Sequence, residues 1–299
     1  YTDEFDQQPG GGSQGFPGYS PANVVDRGRS NMGFYADVEL NATKKLLFSG
    51  ALRFENYSDF GKTLNYKLAT RYKITKGLSF RASASSGFRA PSLAQVHYNL
   101  IFNNIVAGTS LSTLLASNTS TVAKAFGIEP LKEETAQNFA GGFTFKKSGF
   151  TATIDGYMIS VKDRIILTDI FDATALNVGA EAAQFFANGV DTKTTGIDIV
   201  LSYKHYLSNG TSSITAGVAG NFNKTEIEKI NSGDLNEFTF FGPFSQAYLQ
   251  AAAPDHKFGF NFMYSSSRFH AMANYTFFSQ VILQDFQWVD TPATNQEEA

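Results

Sequence analysis

Cysteine is missing from all 299 residues, which excludes a disulfide framework, a thiolate metal site and a thiol nucleophile. Long apolar runs are missing too. Nothing approaches the ~18 residues that mark a membrane-spanning helix, and the chain does not open on the basic and apolar segments of a signal peptide. Charged residues make up 17%, below the roughly 25% of soluble domains, and the formal net charge of −3 gives no reason to expect a nucleic-acid partner. Histidine is scarce. His97, His205, His256 and His270 stand apart without the paired spacing of a metal site, and no elbow motif supports a Ser-His-Asp arrangement. Neither a cofactor nor a catalytic residue is implied. In excess is aromatic surface, with 29 Phe and 13 Tyr against a single Trp.

Period-two alternation recurs through most of the chain, and helical spacing does not. Leu46, Phe48, Gly50, Leu52 and Phe54 oppose Leu47, Ser49, Ala51, Arg53 and Glu55. The same division runs through residues 64–72, 78–85, 214–223, 257–264 and 269–277. The 150–162 stretch changes phase, from Phe150, Ala152 and Ile154 to Tyr157, Ile159 and Val161, and reads as a strand with a β-bulge. The whole reads as about ten antiparallel strands, several of roughly ten residues, where soluble strands average about 5–6. A tilted strand needs ~9–11 residues to cross the hydrocarbon core.

The connections alternate in length. Short turns fall at Asn41–Lys45, Lys73–Gly77, Lys146–Gly149, Leu207–Gly210 and Ser265–Arg268, and longer segments at Asn56–Thr63, Phe88–Glu133, Asp163–Asp191 and Glu228–Asp255. In an up-and-down sheet all the short connections then share one rim and all the long ones the other, as in bacterial outer-membrane barrels. Tyr72, Phe80, Phe145, Phe150, Tyr206, Tyr264 and Phe269 flank the short turns, at headgroup level in such a barrel. Alternation also describes a sheet with one face on a soluble core. Strand length, the one-sided loops and the aromatic flanks favour the membrane barrel. So do Arg53, Lys67, Arg71, Arg81 and Lys257 on the polar face, which need a wet lumen or partners.

Four segments carry a family resemblance. Arg53–Gly61 with Leu64–Leu68, and Leu78–Leu93 with its run Gly87-Phe-Arg-Ala-Pro-Ser92, look like the barrel stretch of TonB-dependent receptors. Leu131–Phe139 resembles the strand opening that follows a long extracellular loop in that family, and Asn188–Ile199 resembles a later strand. The resemblance implies part of an all-β, up-and-down transmembrane barrel of roughly 22 strands, plugged in its lumen. It also implies a location in the bacterial outer membrane, with lipid as a partner, and energy delivered by TonB to a segment before the plug. No plug is read before the barrel, and the end Thr291–Ala299 lacks a terminal aromatic strand, so the chain reads as a piece of a larger barrel. The expected division is an extracellular flexible loop over residues 1–32, a partial barrel over 33–283 with long extracellular loops at 88–133, 163–191 and 228–255, and a tail over 284–299.

Within the family run, Gly87 is expected to relax the strand end, Phe88 to belong to the motif, Arg89 to meet a carboxylate, and Pro91 to stop the ladder for want of an N–H. Arg53 and Arg81 are expected to be lumenal. A related run in haem-uptake receptors precedes an iron-binding histidine, a role for which His97 is the one placed; a lone loop histidine is the plainer reading. Ligand capture is expected from the long loops, which carry binding on a rigid frame. There His97, Asn99, Asn103, Asn104, Phe240 and Phe244 offer hydrogen-bonding and stacking groups suited to a siderophore, saccharide or cofactor-like ligand. Asp3, Glu4 and Asp6 read as a solvated terminus rather than a cation site. Gly10–Gly15 reads as a loop rather than a phosphate cradle, and Asn118-Thr-Ser120 as a chance glycosylation pattern. Uptake by a TonB-dependent receptor is the leading expectation; a passive porin-type barrel, an outer-membrane barrel enzyme and a soluble β-sandwich are the alternatives.

Overall fold

The computed structural model describes residues 2–7, 23–106, 109–208, 210–284 and 296–298. Eleven strands form one antiparallel sheet. In spatial order they are β1 (Thr2–Gln7), β2 (Val25–Asn41), β3 (Leu46–Tyr57), β4 (Gly61–Lys73), β5 (Leu78–Arg89), β8 (Glu134–Lys147), β9 (Phe150–Leu167), β12 (Phe186–Tyr206), β13 (Ser213–Ile230), β14 (His256–Ser265) and β15 (His270–Phe278). Between them the long connections carry α1 (Leu93–His97), β6 (Leu100–Val106), β7 (Thr109–Leu115), α2 (Thr121–Ala125), β10 (Phe171–Asp172), β11 (Ala182–Gln184), α3 (Glu237–Phe240) and α4 (Pro243–Gln250).

Register turns the sequence alternation into two faces. Pairings Leu40↔Phe48, Phe48↔Thr70 and Thr70↔Ala82, with Phe80↔Phe143, Phe143↔Ile154 and Ile154↔Ile199, put the apolar set on one side. These side chains have no protein cover: Phe34, Val38, Leu52, Leu64 and Leu68 are each more than half exposed, and Phe143, Ile154, Phe260 and Phe262 nearly so. A soluble β-sandwich would bury this face against a second sheet. None covers it among the described residues, and the apolar side chains of this face stay exposed. No described helix is long and apolar enough to cross a membrane, which does not bear on strands.

The other face carries a polar row. Arg71↔Arg81, Arg81↔Gly142, Gly142↔Asp155, Asp155↔Asp198, Asp198↔Asn221 and Asn221↔Lys257 are successive partners across seven strands. Arg81 reaches over Gly142 to Asp155, two strands away, with its Nε 2.9 Å from Oδ1. A Cβ at Gly142 would lie 2.2 Å from that same oxygen, so the glycine makes room for the ion pair. Asp198, directly opposite Asp155, is satisfied instead by the Asn221 amide at 2.6 Å, and Asn221 also donates to the Tyr157 hydroxyl at 3.1 Å.

The short turns close by local chemistry. Thr43 Oγ1 accepts from the N–H groups of Lys45 and Leu46, and Thr75 Oγ1 from those of Gly77 and Leu78. Ser148 and Gly149 both have positive φ, 47° and 84°, the two-residue turn whose twist matches a hairpin.

Several boundaries differ from expectation. Residues 2–7 and 25–32, expected in a loop, are strand: β1 pairs with the first six residues of β2, giving the eleventh strand. Positions 8–22, including Gly10–Gly15, lie outside the described residues. Asn56–Thr63, expected among the longer connections, is a tight turn at Ser58–Phe60, because β3 and β4 pair as far as Tyr57↔Gly61. Across the expected boundary between barrel and tail, Ile282–Gln284 pairs with Gln296–Glu298, and residues 285–295 lie outside the described residues. The bulge expected within 150–162 is absent, since β8 and β9 pair without a break from Thr135↔Lys162 to Lys147↔Phe150. The strand runs straight and its apolar side chains change face. The irregularity falls just beyond, where β12 passes Asp163, whose φ is 56°.

The strands beside the long loops are longer than a bilayer requires: 18 residues in β9, 21 in β12 and 18 in β13 against ~9–11. Their upper ends enter the one buried hydrophobic cluster found among the described residues. Ile166, Ala187 and Val190 from the strands join Ala116, Ala123 and Ile128 from the first long loop, Phe171, Ala183 and Phe185 from the second, and Phe240 and Phe241 from the third. Phe126, Phe171 and Phe185 make a triad with ring centroids 5.3–6.0 Å apart. The three loops therefore form one cap with its own core.

Candidate functional site

The long-loop rim is the candidate site, and the buried amide of Asn118 with the half-buried side chains of Asn188, Asp169 and Asp191 holds it in shape. Asn118, 2% exposed, donates from Nδ2 to the carbonyls of Glu129 and Phe186 and accepts from the Leu131 N–H. That triple use of the side chain leaves no room for a glycan. Asn188 clasps Lys132 from both sides, accepting from its N–H and donating to its carbonyl, and also donates to Asp163. Asp169 receives the Gly242 N–H at 2.7 Å and the Ser245 hydroxyl, while its own N–H donates to Phe240. Asp191 accepts from Asp163 N–H and the Asn231 amide. The Asn118–Phe186, Asn188–Lys132, Asp169–Gly242 and Asp191–Asn231 bonds join two long loops or a loop to a strand end, while the bonds of Asn118 to Glu129 and Leu131 fold the first long loop on itself.

The family run lies at the base of this rim. Gly87 sits inside β5, opposite Ala136, with ordinary φ and open space where a Cβ would stand, so neither backbone nor packing demands glycine there. The strand ends at Arg89, whose Nε bonds Glu134 at 2.9 Å. Glu134 also takes the buried Ile165 N–H at 2.7 Å, tying three strands together. Pro91 is buried, and its carbonyl accepts from Arg29 at 2.7 Å.

Arg29 is the hub that sequence reading missed. Its guanidinium, 5% exposed, bonds Asp59 at 2.8 and 2.6 Å and lies 5.8 Å from the Tyr57 ring centroid and 5.4 Å from that of Phe60. Tyr57 stacks on Phe60 at 4.5 Å and meets Phe88 edge-on at 5.8 Å. Phe88 and Pro91 thus serve as walls of a buried cation site, a structural role.

Ser92 then starts α1 with a capping box, its hydroxyl accepting from Gln95 N–H while Gln95 Oε1 accepts from Ser92 N–H. His97 in its last turn is half-buried. Burial first, then the charges of Arg27 and Arg29, pull its pKa below the ordinary value of 6.5 against the opposing pull of Asp59. Asn99 accepts from Asn23 at 2.5 Å. Asn103 is exposed on β6, and the Asn104 side chain lies outside the described residues. Phe240, expected as a stacking surface, is 2% exposed because α3 turns it into the cap core. Phe244 packs at a tilt against Tyr248, ring centroids 4.7 Å apart, and Phe238 and Tyr248 are exposed rings of the same loop. Of the expected ligand residues, Phe240 is therefore withdrawn from the surface. On the inner face Arg53 is paired with Glu55, itself 2% exposed, and Arg81 with Asp155. No group of three or more metal-binding side chains comes together among the described residues.

Comparison with known proteins agrees with this geometry. The profile of a family described as TonB dependent receptor-like, beta-barrel, matches residues 1–297. Heme/hemopexin utilization protein C of Haemophilus influenzae (strain 86-028NP) is 27% identical over 181 residues, 54% of this chain and 23% of that protein. Among solved structures, a G324V mutant of the ferric enterobactin receptor PfeA of Pseudomonas aeruginosa aligns with all of this chain and 40% of its own, at 14% identity and a TM-score of 0.68. The siderophore receptor PirA of Acinetobacter baumannii aligns with 87% of this chain and 35% of its own, at 17% identity and a TM-score of 0.59. The chain thus spans less than half the length of each of these proteins. The low-identity structures share the fold, and the profile match over nearly every residue carries the assignment: this chain belongs to the TonB-dependent receptor β-barrel family, a family of bacterial outer-membrane receptors and transporters.

Proposed function

We propose that this chain forms part of the wall and the outer cap of an active-transport receptor that imports iron held in an organic chelate, using energy delivered through TonB. The short turns face the periplasm and the capped long loops face outward. The carrying observation is the cap itself. Three long loops, packed on a shared core at one rim of a lipid-facing sheet, give a rigid frame above a polar inner wall, which a capture site needs. Iron as the cargo is supported by the named relatives, one a heme utilization protein and two siderophore receptors. His97, half-buried beside Arg29 and Asp59, lends no particular support to haem. A passive porin lacks a reason for such a cap.

The test is uptake of radioactive iron by whole cells carrying the intact gene, supplied as ferric siderophores or as haem, with and without TonB. Energy-dependent accumulation that disappears without TonB is expected for at least one chelate. Flux unchanged by TonB loss would return the porin reading.

A further inference from the structure

The outward face of β2 to β5 is not uniformly filled. Small residues Gly50, Thr70, Ala82 and Ala84 leave a groove of about 540 Å³, walled by Leu40 and Phe48, within the ~300–1,000 Å³ of sites that hold organic ligands. Its walls are almost entirely apolar, and it lies on the face that meets lipid. It also lies close to the short-turn rim, because Phe48 and Leu40 pair only two residues above the turn between β2 and β3.

That rim is basic. The three neighbouring turns read Asn41-Ala-Thr-Lys-Lys45, Lys73-Ile-Thr-Lys-Gly77 and Lys146-Lys-Ser-Gly149, with six lysines and no Asp or Glu. Backbone hydrogen bonds tie the turns in a row, Lys73 N–H to Lys45 carbonyl at 2.8 Å and Lys146 N–H to Gly77 carbonyl at 2.7 Å. Lys44, Lys45, Lys73, Lys76, Lys146 and Lys147 are all exposed, and none forms an ion pair among the described residues. By contrast Arg29, Arg53, Arg81 and Arg89 each hold a carboxylate.

We propose that the groove and the lysine rim together bind one phospholipid with an anionic head group from the periplasmic leaflet, its acyl chain in the groove and its phosphate among the turn lysines. Ammonium groups and phosphate make charge-assisted bonds, and a lysine near a lipid surface contributes on the order of 1 kcal/mol, about a fivefold preference per effective contact. The proposal rests on the orientation given above, with the short turns in the periplasm.

The full receptor, reconstituted in equal phosphatidylglycerol and phosphatidylcholine and then re-extracted, is to be weighed with its retained lipid by native mass spectrometry. The wild type should hold phosphatidylglycerol at least about fivefold over phosphatidylcholine. Changing Lys44, Lys45, Lys73 and Lys76 to Gln should bring the two lipids near parity. Ala82→Phe, which fills the groove from an outward position, should lower the number of lipids retained without changing their ratio. Equal retention by the wild type, a ratio that survives the lysine changes, or undiminished retention by Ala82→Phe would each overturn the proposal. So would loss of an acidic periplasmic protein, with lipid unchanged, on lysine removal. Orientation is checked separately at another short turn. Ser208→Cys should resist a membrane-impermeant maleimide in intact cells and react once the outer membrane is opened; labelling of intact cells would overturn the orientation itself.

Discussion

The wall and the cap use apolar side chains in opposite senses. In the wall, Phe34, Leu52, Leu64 and Phe262 point away from the protein, and the inner face carries Arg81, Asp155 and Asn221. In the cap, Phe185, Val190 and Phe240 point inward and are at most 2% exposed, and the Asn118 amide of the same cap is buried. The wall is held by its ladder of strand pairings, whereas the cap has a buried core of its own. Substitutions should therefore have different, even opposite, consequences on the two sides of the rim.

The largest effect is expected in the cap. Phe185→Ala removes a fully buried ring from the aromatic triad and should cost about 3–5 kcal/mol of cap stability, read as protease cleavage within residues 88–133 and 163–191 while the wall stays intact. Next comes the wall. Leu52→Arg places a charge on the lipid face at mid-strand and should cost roughly 2–4 kcal/mol in a bilayer, measured by reversible unfolding from vesicles. The same change at exposed Phe238 of the cap should be nearly silent, which sharpens the contrast. Smaller again is Asn118→Ala, which strands two carbonyls and one N–H and should cost about 1–3 kcal/mol by the same protease assay.

The smallest effect is a pH dependence at the base of the cap. His97 has its pKa lowered by burial and by Arg27 and Arg29, so the folded state favours the neutral ring. Its contribution is fully present above the unfolded value of 6.5 and falls as pH drops below it. Hydrogen exchange of α1 should accelerate in that window, and His97→Gln should flatten the response.

The same contrast explains what could be read from sequence. Period two is a local signal, so the strands from Leu46 to Phe54 or Phe258 to Tyr264 announce both their conformation and their outward face. The cap announces neither, because Ile128, Phe185 and Phe240 come from three separate segments without periodicity and meet only through the sheet. For the same reason Phe240 passed for a surface ring. Arg29 was illegible because its site needs β1 and β2 paired, the turn at Asp59 closed and Pro91 brought alongside, three events far apart in the chain. At Gly87 the opposite error arose: a motif glycine invited a backbone explanation that the ordinary extended strand does not require.

The central claim is that one face of the sheet meets lipid and the other an aqueous lumen. Because this chain holds no cysteine, single-cysteine variants at positions 48 to 54 of the full receptor can each carry a spin label in a bilayer. The account predicts that labels at positions 48, 50, 52 and 54 relax with lipid-soluble oxygen and those at 49, 51 and 53 with a water-soluble paramagnet. Uniform access to the aqueous agent along β3, or alternation in the opposite phase, would contradict it.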